Sequence, residues 1–388
     1  MAFDKNRGAV WWLSSAHFIN DVYSGFLTPL MPFIAAKIGF SVAIATMITS
    51  IAQIVASTIQ PIFGWFADKS YKRFFIFFGL FFGSISAPIA TNANNLTTLL
   101  IFIILGNLGG SLYHPQAIGF IPVFSNKNTL VYNMSLFITA GTIGFACGPL
   151  VSSSVAELWG FDKIPYLSIF GLIVLALMFK FVPRVKDVKK PNSENLFEVL
   201  KQIMKNKLMV IVLTIAFMKV LIQSSCSILL PFLWKDMGHS AFYIGFAMFL
   251  FLFAGGMGSY VSSRFERKFG AKFVFYCSMI LTLPLMILFI TTCESHKDFS
   301  IAVFVVMGFI TMFAQPVTMV LAQKLMPQYK SVIGGIINGT TWGLVALILV
   351  FVGFLAEKFG IKQILILLAI LPAIFSYFVK FLPNSIDD

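Results

Sequence analysis

Three side chains that can hold or share a proton lie on one face of a run otherwise suited to lipid. His17, Asn20 and Asp21 occupy the middle of Val10–Lys37, VWWLSSAHFINDVYSGFLTPLMPFIAAK. His17 and Asp21 are i and i+4 with Asn20 beside them, so a helix places all three together. A charged or titratable group at bilayer depth costs at least about 2.5 kcal/mol to insert, so such groups are kept for function and turned away from lipid. A carboxylate at position 21 can load or release a proton as its surroundings change, and an imidazole at 17 can share it. Asn20 reads equally well as hydrogen-bonding glue between helices and as the lining of a polar cavity.

Two further places carry chemistry inside apolar runs. Lys219 and Gln223 are again i and i+4, in the run Leu208–Trp234. His114 precedes Pro115 in GNLGGSLYHPQA, Gly106–Ala117, where the proline frees a carbonyl one turn back and is expected to kink the helix. His114 there either exchanges a proton or donates to an anion, or is simply hydrogen-bonded within the bundle. Lys219, His17 and His114 would supply positive charge to a phosphonate or carboxylate, and Asn20, Tyr23, Tyr113 and Gln223 would add hydrogen bonds. No G-x-x-x-x-G-K-[ST] loop and no H-E-x-x-H helix occurs, and the four cysteines, Cys147, Cys226, Cys277 and Cys293, stand singly. Direct ATP-driven pumping and enzymatic chemistry are therefore not expected, nor are a cofactor or a metal.

The elements that must position these groups can be read from composition. Of the residues, 58% are hydrophobic and 11% charged, and 45 of the 388 are Phe, more apolar surface than a soluble core can bury. Twelve runs are long enough to cross a bilayer. They are Val10–Ala36, Val42–Ala67, Phe74–Ala93, Leu96–Phe124, Leu130–Trp159 and Pro165–Val182, then Leu208–Trp234, Phe242–Phe265, Phe273–Cys293, Phe299–Leu325, Val332–Ala356 and Ile361–Leu382. The polar stretch between the sixth and seventh predicts three parts: an N-terminal six-helix bundle over 1–182, a cytoplasmic linker over 183–207 and a C-terminal six-helix bundle over 208–388. Within the linker, NLFEVLKQIMKN has the spacing of a short amphipathic helix on the membrane surface. With the termini and even-numbered connections on one side, twenty of the 28 Lys and Arg residues gather there and six opposite. That asymmetry puts both termini in the cytoplasm and accounts for the net charge of +13 without nucleic acid. Lys5 and Arg7 precede the first run with no small-residue cleavage site, so it reads as a retained helix, not a signal peptide.

The chain also repeats itself at an offset of about 200 residues. PFIAAKIGFS, from Pro32, aligns with PFLWKDMGHS, from Pro231; FADKSYKRF, from Phe66, with FERKFGAKF, from Phe265; and AELWGF, from Ala156, with AEKFGI, from Ala356. Duplicated six-helix units are a common way to build a transporter around a central cavity. In this register Asn20 matches Lys219 and Ser24 matches Gln223, so an acidic stripe in one half is expected to confront a basic stripe in the other.

The loop GWFADKSYKR resembles the signature of the major facilitator superfamily between its second and third helices, through Gly64, Asp68, Lys69, Lys72 and Arg73. The resemblance implies that these residues hold the cytoplasmic gate. GTIGFACGP in the fifth run is similar to the antiporter motif of the same superfamily, carried here by Gly141, Gly144, Gly148 and Pro149, although serines at 152–154 replace the paired glycines usual after it. HFINDVYSGFLTPLMP and GNLGGSLYHPQA together resemble the fosmidomycin-resistance branch, and the fourth run lacks the Arg of the common drug exporters. Membership implies the major facilitator fold, all-α with twelve transmembrane helices in two pseudo-symmetric bundles. It further implies a secondary transporter in the bacterial cytoplasmic membrane that exports a small organic anion or drug in exchange for protons; the buried groups Asp21, His17 and His114 are the expected proton-coupling residues, and a duplicated unit of this size can work as a monomer. An importer or uniporter of a metabolite such as an organic phosphate fits the same layout, and a non-transporting receptor is the remaining class. The expected partners are a small-molecule substrate, protons and the bilayer, with no nucleic acid.

Overall fold

The computed structural model describes residues 5–69, 73–125, 130–183, 196–326, 333 and 336–384, and every regular element among them is helical. Helices satisfy their own backbone groups, which is what lipid demands of such apolar runs. Ten helices among the described residues are long and apolar enough to cross a membrane. The other two of the twelve runs are also helical: the first is divided into α1 (Lys5–Ser24) and α2 (Leu27–Ile38), and the third is the shorter α4 (Phe74–Ala90). The chain therefore has the twelve-helix architecture expected from its sequence.

The helices that build the site are α1, α3 (Val42–Lys69), α4, α5 (Leu96–Val123), α6 (Leu130–Trp159) and α7 (Ser168–Phe181), the last entered through a 3-10 turn over Phe161–Leu167. The linker forms α8 (Leu196–Lys205), with Ile203 buried and Met204 exposed. Next comes α9 (Lys207–Asp236), capped by Asn206, whose side chain accepts from Leu208 N at 3.1 Å and Met209 N at 3.2 Å. Beyond it lie α10 (Ala241–Phe269), α11 (Ala271–Ile280), α12 (Thr282–Thr292), α13 (Lys297–Phe313) and α14 (Gln315–Leu325), then α15 (Thr341–Phe359) and α16 (Ile361–Phe375).

Three expected single helices are divided, and proline is the common cause. Pro29, Pro284 and Pro316 each follow a break by two to four residues, where a missing N–H and a ring clash with an earlier carbonyl interrupt the ladder. At the first break the carbonyl of Phe26 is taken up by Ser152 Oγ of α6 at 2.9 Å. Pro115 and Pro149, by contrast, lie within α5 and α6 without ending them.

The repeat is visible as shared backbone punctuation. Gly39 and Gly238, at matching positions, have φ of 88° and 82°, and each is followed by a serine that caps the next helix. Ser41 Oγ accepts from Ile44 N, and Ser240 Oγ from Tyr243 N. Gly160 and Gly360 match likewise, with φ of 91° and 92° in a region that side chains other than glycine's rarely enter.

Contacts divide the chain into two compact units. The first comprises Met1–Phe40, Ile48–Pro191 and Gly238–Phe249, and the second Ser41–Met47, Asn192–Met237 and Leu250–Asp388. The first is built around Leu13, Ala16, Leu80, Tyr113, Phe120 and Phe137; the second around Met209, Val212, Val274, Phe275, Val317 and Leu321. Within the second unit Glu357 accepts from Ala43 N at 3.2 Å, a capping role at the start of α3. Trp234, which its place near a run end suggests as an interfacial anchor, is instead 1% exposed and packs against Phe289 and Phe304. Two aromatic partners bury it more completely than an interface would.

Candidate functional site

The seat of the first polar stripe is a set of glycines on α6. A side chain at Gly141 would collide with the His17 ring, one at Gly144 with the Phe18 carbonyl, and one at Gly148 with the Val22 carbonyl. These contacts advance in the same order on both helices, so α1 and α6 run in the same direction with their backbones close. Gly25 continues the seam, because a methyl there would approach Pro149 Cδ to 2.8 Å. The four residues singled out as an antiporter-type motif therefore form the bed on which α1 lies. On the other side, a methyl at Gly83 of α4 would strike Asn20 Oδ1.

On this bed Asp21 lies between two imidazoles. Its Oδ2 is 3.3 Å from His17 Nε2, and its Oδ1 is 3.6 Å from His114 Nε2, brought in by α5. Asn20 Nδ2 donates to Asp21 Oδ1 at 3.1 Å. His17 Nδ1 is 2.8 Å from the carbonyl of Phe137, whose ring also stacks on the imidazole at 4.1 Å. A carbonyl can only accept, so His17 Nδ1 carries a hydrogen. His17 Nε2 and Asp21 Oδ2, 3.3 Å apart, are then the two atoms between which a proton could be shared, as an imidazolium facing a carboxylate or a carboxylic acid facing a neutral imidazole. Among the described residues no Lys or Arg lies within ion-pair distance of Asp21. His114 is the more open partner, its side chain 29% exposed.

The remaining expected residues divide between the two units. Tyr113 is fully buried and donates from its hydroxyl to Leu13 O at 2.8 Å. Tyr23 donates to Leu167 O at 2.7 Å and accepts from Gly171 N at 3.0 Å, tying α1 to α7. Both hydroxyls are thus engaged within the first unit. In the second unit Lys219 is half-buried and has no acidic partner among the described residues. It borders a cavity of about 10 Å³, room for a single water, with Ser278, Thr282 and Thr311. Gln223 is buried one turn along α9. Of the loop motif, Lys72 lies outside the described residues, as do the side chains of Asp68 and Lys69, which together with Gly64 have helical backbone in α3. Arg73 donates to the Val182 carbonyl at the end of α7 and stacks over Phe77 at 5.3 Å.

Two contributors carry no sequence signal for this role. Phe137 acts through its backbone carbonyl, and Gly83 acts by having no side chain. The ligand atoms of His17, Asp21 and His114 also lie within 4.8 Å of one another, a His-His-Asp cluster that residue spacing alone does not announce because α5 is remote from α1 in the chain.

Comparison with known proteins agrees with this architecture. The fosmidomycin resistance protein of Escherichia coli (strain K12) is 22% identical over 386 residues, covering 97% of this chain and 93% of that protein. An uncharacterized MFS-type transporter of Bacillus subtilis (strain 168) is 22% identical over 373 residues, covering 92% and 88%. Among solved structures, a bacterial homolog of the human lysosomal transporter Spinster superposes with a TM-score of 0.81 over 98% of this chain and 97% of that one, at 13% identity. The Major Facilitator Superfamily model matches residues 13–350, and the chain belongs to that family: a multi-pass membrane transporter of the fosmidomycin-resistance-like branch, not an enzyme.

Proposed function

We propose that this transporter is a proton-coupled antiporter that exports a small organic anion or drug of the fosmidomycin type by alternating access. The observation that carries the reading is Asp21, held 3.3 Å from His17 Nε2 with His17 Nδ1 already committed to Phe137 O. One proton occupies that gap and can leave without disturbing the carbonyl bond. His114, at 3.6 Å and more exposed, is the relay or the donor to an incoming anion. Tyr113, packed beside both imidazoles, is the other titratable group facing the site and is engaged with Leu13. Lys219, with Gln223 and Asn20, supplies charge and hydrogen bonds to the substrate, while Tyr23 and Tyr113 keep the site in shape. The loop residues around Asp68 and Arg73 serve the cytoplasmic gate. The name of the Escherichia coli relative supports the phosphonate class. The protein works as a monomer in the bacterial cytoplasmic membrane with both termini inside.

Reconstituted in liposomes holding a pH-sensitive dye, the protein is expected to move protons when fosmidomycin is added under an imposed pH gradient. Asp21→Asn should abolish that flux while still inserting in the membrane. Coupling retained in Asp21→Asn would overturn the assignment of the residue, and flux with cationic drugs but not the phosphonate would overturn the substrate class.

A further inference from the structure

The geometry points to a three-ligand site for a zinc-class divalent ion at His17 Nε2, Asp21 and His114 Nε2, with a fourth position open. A tetrahedral ion with ligand arms of 2.0–2.1 Å separates its ligand atoms by about 3.3–3.4 Å. His17 Nε2 is 3.3 Å from Asp21 Oδ2 and His114 Nε2 is 3.6 Å from Asp21 Oδ1, so each imidazole faces its own carboxylate oxygen, and one ligand atom from each of the three residues falls within 4.8 Å of the others. Binding through one Asp21 oxygen requires the His114 imidazole to move toward it, and that ring is the more exposed of the two.

Two independent features around the cluster match what metal ligands require. A ligating imidazole is held by a hydrogen bond from its other ring nitrogen, which leaves the distal nitrogen free for the ion. His17 Nδ1 makes that bond to Phe137 O at 2.8 Å, and the Gly141 seat and the stacked Phe137 ring fix the plane. A ligating carboxylate is likewise hydrogen-bonded, and Asn20 Nδ2 donates to Asp21 at 3.1 Å. Two imidazoles and one carboxylate suit borderline ions such as Zn²⁺ or Co²⁺, whereas Mg²⁺ and Ca²⁺ prefer oxygen alone. The inference stands apart from proton coupling, although a bound ion would take the place of the shared proton and block the site.

The test is titration of the full chain, purified in detergent with any affinity tag removed, with Co²⁺ as the probe. The expected result is the intense visible absorption of four-coordinate Co²⁺ at one ion per chain, erased by equimolar Zn²⁺. His17→Ala and His114→Ala should each weaken binding at least about tenfold. The double variant His239→Ala/His296→Ala should bind as the wild type does. His114→Cys should restore binding and add a sulfur-to-cobalt band, which separates a lost ligand from a lost fold. A wild-type chain that gives no such spectrum, or triad variants with undiminished affinity, would overturn the proposal. Proton flux measured in parallel keeps the two readings distinct. Co²⁺ binding in a chain without Asp21-dependent flux supports the metal site and removes the coupling, and flux without binding does the reverse.

Discussion

At the scale of single residues, the site depends as much on absent side chains as on charged ones. Gly141 is the sharpest case, because any β-carbon there meets the His17 ring. Gly141→Ala should push the imidazole off Asp21, destabilise the protein by about 1–3 kcal/mol and abolish substrate-driven flux. Thermal unfolding in detergent, read alongside the liposome assay, checks both parts. Tyr113→Phe removes one buried hydrogen bond to Leu13 and should cost about 0.5–1.5 kcal/mol with flux largely retained, as befits a positioning residue. The His17–Asp21 pair is legible in the sequence because i, i+4 spacing on a helix is a local rule. His114 can be suspected only from its proline and its depth in an apolar run, since no local rule brings α5 to α1. The carbonyl of Phe137 is not legible at all: every residue has one, and only the packed helices decide which carbonyl faces which ring.

At the scale of elements, the same distinction separates what pattern predicts from what proline and glycine decide. The twelve apolar runs and the repeat are readable, and the matched Gly39–Ser41 and Gly238–Ser240 pairs give the repeat a mechanism: a helix end and the cap of the next helix are encoded within three residues. The divisions after α1, α11 and α13 escape the hydropathy pattern, because the apolar count continues through them while the hydrogen-bond ladder does not. Ser152 compensates at the first, so Ser152→Ala should leave the Phe26 carbonyl without its partner and lower stability by about 1–3 kcal/mol in a detergent melt. Glycines can be sorted in the same experiment. Gly360→Ala forces a side chain to a φ of 92° and should cost about 1–3 kcal/mol. Gly119 lies within α5 with nothing within 4 Å of an added methyl, so Gly119→Ala should be neutral or stabilise by up to about 1 kcal/mol. Equal effects at the two positions would refute the backbone account.

At the scale of the molecule, the distribution of basic residues predicts its direction in the membrane. Several of their charged groups sit over aromatic faces: the Arg264 guanidinium is 5.8 Å from the Tyr260 ring centroid, Lys268 Nζ 5.0 Å from that of Phe269, and Lys380 Nζ 3.5 Å from that of Tyr377. Those three belong to the majority side of the twenty-to-six division, and short loops of this kind fix orientation because moving them across the bilayer is opposed during insertion. A green fluorescent protein fused to the C-terminus should therefore fluoresce, since it matures in the cytoplasm, and alkaline phosphatase at the same point should stay inactive. Fusions placed after Lys163, in a minority connection, should behave in the opposite way. If the C-terminal pair reversed and the Lys163 pair reversed with it, the whole chain would be inverted, and the proposed export would become uptake with the same proton site. If only one pair reversed, the number of crossings between Lys163 and the C-terminus would be even in place of odd, and one run between them would lie outside the membrane.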